Sequence, residues 1–321
     1  MRILFTACLA LTALLTNAAL AQQWPTKPVH LIVPYPPGGN VDSAARILGN
    51  KLQEATGQPF IVENKAGAGG LVAGEYFKKS DPDGYTLFIG ANGPVLFAPI
   101  IAGRAAYNWR TDFVPITTVS MTPLVLEVNP TVPVKDMSEF LALVRKEPGK
   151  LTMASPGIGT SNHLLSELMQ STLNVKWLTV HYRGNAPATN DLIGGQVQFA
   201  FDQISVALQF ITSGKVRALA VTSPKRTSWL PNVPTFTELG YKDFDAQTFT
   251  GVFAPAGTPE AVVGDIHEAV AKVLNDPSIK QKFNKLGAEA TVMSKDDFTK
   301  YLAHEDGKWI PIIKRIDIKA R

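Results

Sequence analysis

A repeated order of short apolar strands and longer helical patterns constrains the fold of this chain most strongly. Residues 29–34 are mostly apolar, and a helical pattern over 41–56 follows them after a loop of proline and glycine. Further strand patterns, at 151–155 and 216–222 among others, alternate with helices. Because such strands are buried on both faces, the order predicts an α/β fold with parallel sheets covered by helices.

Two strand-like segments predict a division into two lobes. Residues 113–129 form a long run interrupted by prolines, and residues 247–255 form a second strand after a region rich in proline and glycine. A chain of 321 residues exceeds what one hydrophobic core usually serves. We therefore expect lobe 1 at 22–125 plus 233–321 and lobe 2 at 126–232, with two interlobe crossovers that form a hinge and a cleft.

The first 21 residues have the pattern of a secretory signal peptide. Arg2 provides the positive start, residues 3–20 are largely apolar, and small residues at Ala19 and Ala21 form a cleavage site. A membrane anchor is the alternative, but polar residues such as Asn17 interrupt the apolar run. We expect cleavage after Ala21 and an exported protein.

Composition excludes several classes of function. The single cysteine, Cys8, lies inside the signal sequence, so the mature chain has no disulfide and no cysteine nucleophile. The five histidines are dispersed, which argues against a metal cluster. The formal net charge of +4 is scattered along the chain, and the basic stretch 308–321 is interleaved with isoleucines. That stretch predicts an amphipathic helix, and we expect no nucleic-acid partner.

Several loops join the end of a strand to the start of a helix. Residues 34–42, 155–163 and 182–187 share this arrangement, while 90–94 and 201–203 also end strands. In open α/β sheets such loops line the ligand crevice, and an uncapped helix N-terminus binds anions without lysine or arginine. The recurrence of the pattern predicts an anion site in the cleft.

Asp202 is the acidic residue among these loops, and two interpretations stay open. It could receive an ammonium or hydroxyl group of a ligand, or pair with Arg183. It could equally cap the helix that follows it, since aspartate is a preferred capping residue.

A secreted serine-dependent hydrolase is the alternative function. Ser161, His163 and Asp202 contain the residue types of a catalytic triad, and residues 159–163 nearly match a nucleophile elbow. However, His163 occupies the place of the final glycine, and side chains two apart at a helix start diverge. No Walker or dinucleotide motif is complete, so we expect no cofactor and no enzymatic activity.

The combined motifs resemble the Bug family, the periplasmic solute-binding proteins related to tripartite tricarboxylate transporters. The resemblance covers nearly the whole mature chain in order. It rests on Val33-Pro34-Tyr35-Pro36-Pro37-Gly38-Gly39 with Asp42, Val62-Glu63-Asn64-Lys65, Gly67-Ala68-Gly69-Gly70, Asp83-Gly84-Tyr85-Thr86-Leu87, Gly159-Thr160-Ser161-Asn162-His163-Leu164, Tyr182-Arg183-Gly184, Asp191-Leu192-Ile193-Gly194-Gly195, Phe201-Asp202 and Ala254-Pro255-Ala256-Gly257-Thr258-Pro259.

The resemblance implies a Venus-flytrap fold that closes on a small carboxylate: a di- or tricarboxylate, an acidic amino acid or an aromatic acid. It implies a periplasmic monomer that serves a tripartite transporter complex in the membrane or a sensor. The implied ligand-binding residues are Tyr35, Pro37, Gly38, Gly39, Asp42, Ala91 and Asn92 in lobe 1, and Gly159, Thr160, Ser161, His163, Asn185, Ala186 and Asp202 in lobe 2.

Overall fold

The structure, a computed structural model, describes residues 24–104, 106–241, 244–316 and 318, and the predicted signal peptide lies outside them. The strands are β1 (Val29–Val33), β2 (Phe60–Asn64), β3 (Thr86–Ala91), β4 (Phe113–Val128), β5 (Thr152–Ser155), β6 (Leu178–His181), β7 (Phe199–Gln203), β8 (Arg217–Val221), β9 (Gln247–Pro255) and β10 (Glu289–Ala290). The helices are α1 (Asn40–Thr56), α2 (Leu71–Phe77), α3 (Ala98–Ile101), α4 (Trp109–Asp112), α5 (Met137–Lys146), α6 (Ser161–Leu173), α7 (Asn185–Ile193), α8 (Ile204–Thr212), α9 (Glu260–Asn275), α10 (Pro277–Leu286) and α11 (Lys295–Ile316). Short 3₁₀ and π-helical turns precede α2 and α3.

The strands form two sheets that share β4, in the order β2-β1-β3-β9-β4 and then β4-β7-β5-β6. β1 pairs in parallel with β2 and β3, and β5 pairs in parallel with β6 and β7. The predicted α/β architecture with two lobes and two crossover strands is confirmed. The crossover strands themselves run antiparallel to their neighbours, so each sheet is mixed rather than purely parallel.

β4 carries the chain from the first sheet to the second. Its residues up to Pro123 pair with β9, whereas those from Leu124 onward pair with β7. The return crossing follows Ala246, whose N–H donates to Thr222 O. Because the segment before it packs on the second sheet, as in the 6.3 Å contact of the Phe236 and Phe201 rings, we propose lobes of 24–123 plus 247–316 and of 124–246.

Apolar side chains are buried in both lobes, and the largest buried cluster continues from one lobe into the other. In α1, Ala44, Leu48 and Leu52 recur at four-residue spacing and are buried on the first sheet. The helix ends at Gly57, whose φ of 72° is the left-handed conformation that favours glycine. Phe140 and Phe199 pack edge to face at 5.0 Å in the second lobe. Among the described helices none is both long and apolar enough to cross a bilayer.

Candidate functional site

A cavity lies between the two sheets, where the loops after β1, β3, β5, β6 and β7 meet. The space between its walls, counted together with the open solvent at its mouth, is about 390 Å³. We call it the interlobe cavity. It is lined by Tyr35, Gly39, Asn40, Val41, Ala91, Gly93, Pro156, Thr160, Ser161, Asn162, Asn185, Gln203 and Thr248.

The N-terminus of α1 faces this cavity without a cap. Gly39 is the N-cap residue and supplies no side-chain hydrogen bond. The amides of Asn40 and Val41 are therefore left without intrahelical partners. The side chain of Asn40 is 5 % exposed, and its Nδ2 has no partner among the described residues. The first lobe thus presents several hydrogen-bond donors to the cavity.

Asp42 stabilises the turn before α1 and does not itself line the cavity. Its carboxylate accepts hydrogen bonds from the Gly38 amide at 2.9 Å, from Arg46 and from Asn64. Burial acts to raise the pKa of Asp42, but these hydrogen bonds outweigh burial and keep the pKa below its usual value. The carboxylate of Asp42 is thus bonded entirely within lobe 1. It does not occupy the amides of Asn40 and Val41, which remain available to a ligand.

α6 presents the corresponding N-terminus from lobe 2. Thr160 caps it: its hydroxyl donates to Gly157 O at 2.8 Å and accepts from the His163 amide at 3.3 Å. Its hydroxyl is therefore already used, whereas Ser161 lines the cavity without a side-chain bond to the described residues. The amide of Ser161 also lacks an intrahelical partner.

His163 lies behind the α6 terminus as a neutral imidazole. Its Nδ1 accepts a hydrogen bond from the Gly159 amide at 3.2 Å. Burial lowers the pKa of His163 to about 3, with a smaller contribution from the His181 ring. His163 contacts neither Ser161 nor Asp202 by a hydrogen bond within the described structure, so these residues form no triad.

Asp202 belongs to a buried network of amide side chains. Its Oδ1 accepts from Asn185 Nδ2 at 2.7 Å and from the Gln203 amide at 2.9 Å, and its Oδ2 accepts from Thr189 at 3.1 Å. Gln203, rather than Asp202, is the N-cap residue of α8. Asp202 accordingly supports the residues that line the cavity and does not itself line it.

The predicted residues divide between the cavity wall and its support. Those in the wall are Tyr35, Gly39, Ala91, Thr160, Ser161 and Asn185. Those behind or beside it are Pro37, Gly38, Asp42, Asn92, Gly159, His163, Ala186 and Asp202. Asn92, for example, uses its side chain inside lobe 1, where it bonds to Glu305 and to the Phe249 amide.

Sequence reasoning missed other lining residues. They are Asn40, Val41, Gly93, Pro156, Asn162, Gln203 and Thr248. All but Thr248 lie in the loops that the strand and helix patterns had marked, so their positions in those loops were a usable signal. Thr248 gave none, because it begins a strand that had been interpreted only as a crossover.

The two lobes are in contact around the cavity. Ser205 Oγ in lobe 2 donates to Asn40 Oδ1 in lobe 1 at 2.7 Å. A Cβ built on Gly93 would lie 2.9 Å from Gly159 O of the other lobe. The structure is therefore in a closed conformation.

Comparison with known proteins identifies the family. Residues 44–318 match the tripartite tricarboxylate transporter family receptor, TctC. The chain is 36% identical over 323 residues to a UPF0065 protein from the tcbD-tcbE intergenic region of Pseudomonas sp. strain P51, covering 99% of this chain and 95% of that protein. It is 33% identical to Protein BugT of Bordetella pertussis, covering 97% and 95% of the two chains.

Solved structures agree with this assignment. R. palustris Rpa4515, determined with adipate, superposes with a TM-score of 0.88 at 31% identity, covering 92% of this chain and 99% of that one. MatC from Rhodopseudomonas palustris with bound malate gives 0.86 at 31% identity, covering 90% and 100%. The periplasmic binding protein BugD gives 0.85 at 33% identity, covering 93% and 100%. The chain belongs to the TctC receptor family of tripartite tricarboxylate transporters and is a Bug-type solute-binding protein, not an enzyme.

Proposed function

We propose that the protein binds a small carboxylate in the interlobe cavity and closes its two lobes on it. The observation that carries the proposal is the convergence of the uncapped α1 terminus, the α6 terminus and the unpartnered Asn40 Nδ2 on a cavity whose described lining has no charged side chain. Helix N-termini and neutral donors favour an anion, and a carboxylate is a small anion that they can hold by hydrogen bonds.

The bound relatives support the same ligand class. The related structures carry adipate and malate, which are both carboxylates. In our proposal one ligand carboxylate accepts from the amides of Asn40 and Val41, from Asn40 Nδ2 and from Ser161. Asp42, His163 and Asn92 act as supports that hold these donors in place.

The proposed cellular setting follows from the family. We propose that residues 1–21 are a signal peptide cleaved after Ala21 and that the mature protein acts as a monomer in the periplasm. There it would deliver its ligand to a tripartite transporter complex in the membrane or to a sensor. A small carboxylate ligand agrees with the description of the family as receptors of tripartite tricarboxylate transporters.

Calorimetry on ligand-stripped protein with a panel of small organic acids tests the binding role. We expect at least one acid to bind, and Asn40→Ala to weaken every acid that binds by about tenfold, since it removes a hydrogen bond to a charged group. Asn190→Ala, in an exposed position of α7, is the matched control and should bind as wild type. Binding by no small acid would show the proposal to be wrong.

A further inference from the structure

The side-chain amide of Asn185 is held in one orientation. Its Nδ2 donates to Asp202 Oδ1 at 2.7 Å and to Gln203 Oε1 at 2.9 Å. An amide nitrogen carries two hydrogens, and both are used here. The carbonyl oxygen of Asn185 must then point away from Asp202 and Gln203.

The surrounding bonds prevent the opposite orientation. Asp202 also accepts from the Gln203 amide and from Thr189, and Gln203 Nε2 donates to Asn162 Oδ1 at 3.1 Å. If the Asn185 amide rotated by half a turn, its oxygen would meet two further acceptor oxygens without a hydrogen between them. Buried polar groups left unpaired in this way are costly, so the network fixes the orientation.

The remaining polar atom of Asn185, its Oδ1, faces Gly39 of lobe 1, and both residues belong to the wall of the interlobe cavity. A Cβ built on Gly39 would lie only 2.8 Å from Asn185 Oδ1, and Asn185 is part of the cavity wall. The buried carboxylate of Asp202 lies directly behind it. This side of the cavity therefore offers an acceptor backed by negative charge, while α1 and α6 offer donors.

We propose that Asn185 is a specificity-determining residue and that the ligand is a small acid whose second polar group is a hydrogen-bond donor, a hydroxyl or an ammonium, rather than a second carboxylate. The inference rests on the proposed function and adds the polarity of the ligand's second group. A second carboxylate placed at Asn185 would set oxygen against oxygen and leave both unpaired. Sites built to bond one polar group reject analogues that lack it much more strongly than apolar pockets do.

Matched acids of equal chain length test this inference. For backbones of four to six carbons, calorimetry would compare the dicarboxylate with the acid that ends in a hydroxyl group and the acid that ends in an amino group. The measurement is made at pH 8, above the pKa of Asp202, which burial raises to about 7. We expect the best-fitting hydroxy or amino acid to bind at least about tenfold more tightly than its dicarboxylate.

Two variants identify the residue responsible. Asn185→Leu keeps a similar size but removes the acceptor, so the ratio of the two affinities should fall to near one. Asn185→Ala should give the same result if the leucine variant does not fold. Ser161→Ala is the control: it should weaken acids of both types and leave their ratio unchanged.

Asp202→Asn separates charge from orientation. An asparagine oxygen at this position can still accept from Asn185, so the preference for the hydroxy acid should persist while that for the amino acid weakens. A wild type that prefers dicarboxylates, or a preference unchanged in Asn185→Leu and Asn185→Ala, would overturn the inference and leave the proposed function standing. If no acid binds at all, the proposed function fails as well.

Discussion

Glu127 is a buried carboxyl group in the second lobe, close to Asp202. Its side chain is 0% exposed, and neither carboxyl oxygen has a partner among the described residues. In the pairing of β4 with β7, Val125 lies opposite Asp202 and Glu127 opposite Ala200. Because residues two apart on a strand share a face, Glu127 and Asp202 face the same side. The sequence could not predict this pair, since it arises from the register of strands about 75 residues apart.

Burial, with the charge of Asp202, raises the pKa of Glu127 well above its usual value. Asp202 receives every hydrogen bond in the pair, so it ionises first, at a pKa of about 7, while Glu127 keeps its proton. A carboxyl with a raised pKa stabilises the fold at low pH, and this stabilisation is lost as pH rises through the folded-state pKa. We expect the free energy of unfolding of the wild type to fall as pH rises from about 4 through about 7, where Asp202 ionises, and to fall further while Glu127 stays protonated.

Glu127→Gln should flatten this dependence, because it removes the ionisable partner of Asp202. At pH 8 the variant should be more stable than wild type, because a glutamine at this position takes up no proton when the chain folds. Urea unfolding at pH 5, 6.5 and 8 measures the difference. The exposed Glu268→Gln should follow the wild type. A Glu127→Gln variant less stable at pH 8 than at pH 5, relative to wild type, would contradict this account.

At the scale of elements, the order of strands, loops and helices was predictable, and the side-chain roles within the loops were not. The patterns correctly marked the turns before α1 and α6, because proline, glycine and capping residues act locally. The family resemblance implied Asn92 as a ligand contact. In the structure its side chain donates to Glu305, which lies 213 residues away on α11, and no local pattern predicts a contact over that distance in sequence.

Asn92 joins three elements: the end of β3, the strand β9 and the helix α11. Asn92→Leu would leave the Phe249 amide and the Glu305 carboxyl without this partner. We expect a loss of about 2–4 kcal/mol in the free energy of unfolding, from two buried polar groups. Ligand affinity of the folded variant should change by less than about threefold. Denaturation and calorimetry measure the two effects, and Asn190→Leu on the exposed side of α7 serves as control. A large loss of affinity with unchanged stability would instead make Asn92 a ligand contact.

At the scale of the whole molecule, closure depends on how near the two lobes can come. The contacts between them include the hydrogen bonds from Ser205 to Asn40 and from Gln203 to Thr248, and close approaches at glycines such as Gly39 and Gly93. A ligand shifts the lobes toward closure only through contacts that the closed state alone provides. Gly39 and Gly93 therefore contribute to binding by allowing the lobes to approach each other, although neither has a functional side chain.

Gly39→Ala tests this dependence on close approach. Gly39 has φ −92° and ψ 178°, which any residue adopts, so alanine should cost nothing in the backbone. In the closed state, however, its Cβ would lie 2.8 Å from Asn185 Oδ1. We expect ligand affinity to fall by about tenfold or more, because closure must compress or displace Asn185, while the free energy of unfolding falls by no more than about 1 kcal/mol, the usual scale of an N-cap substitution to alanine.

Small-angle scattering with and without ligand reports the closure directly. The wild type should become more compact when a saturating acid is added, and Gly39→Ala should compact less at the same ligand concentration. Gly264→Ala on α9, where nothing lies within 4 Å of the added Cβ, should bind and close as wild type does. If Gly39→Ala binds and compacts as fully as the wild type, the closed state can accommodate the added methyl group. The close contact of α1 with α7 would then not limit binding.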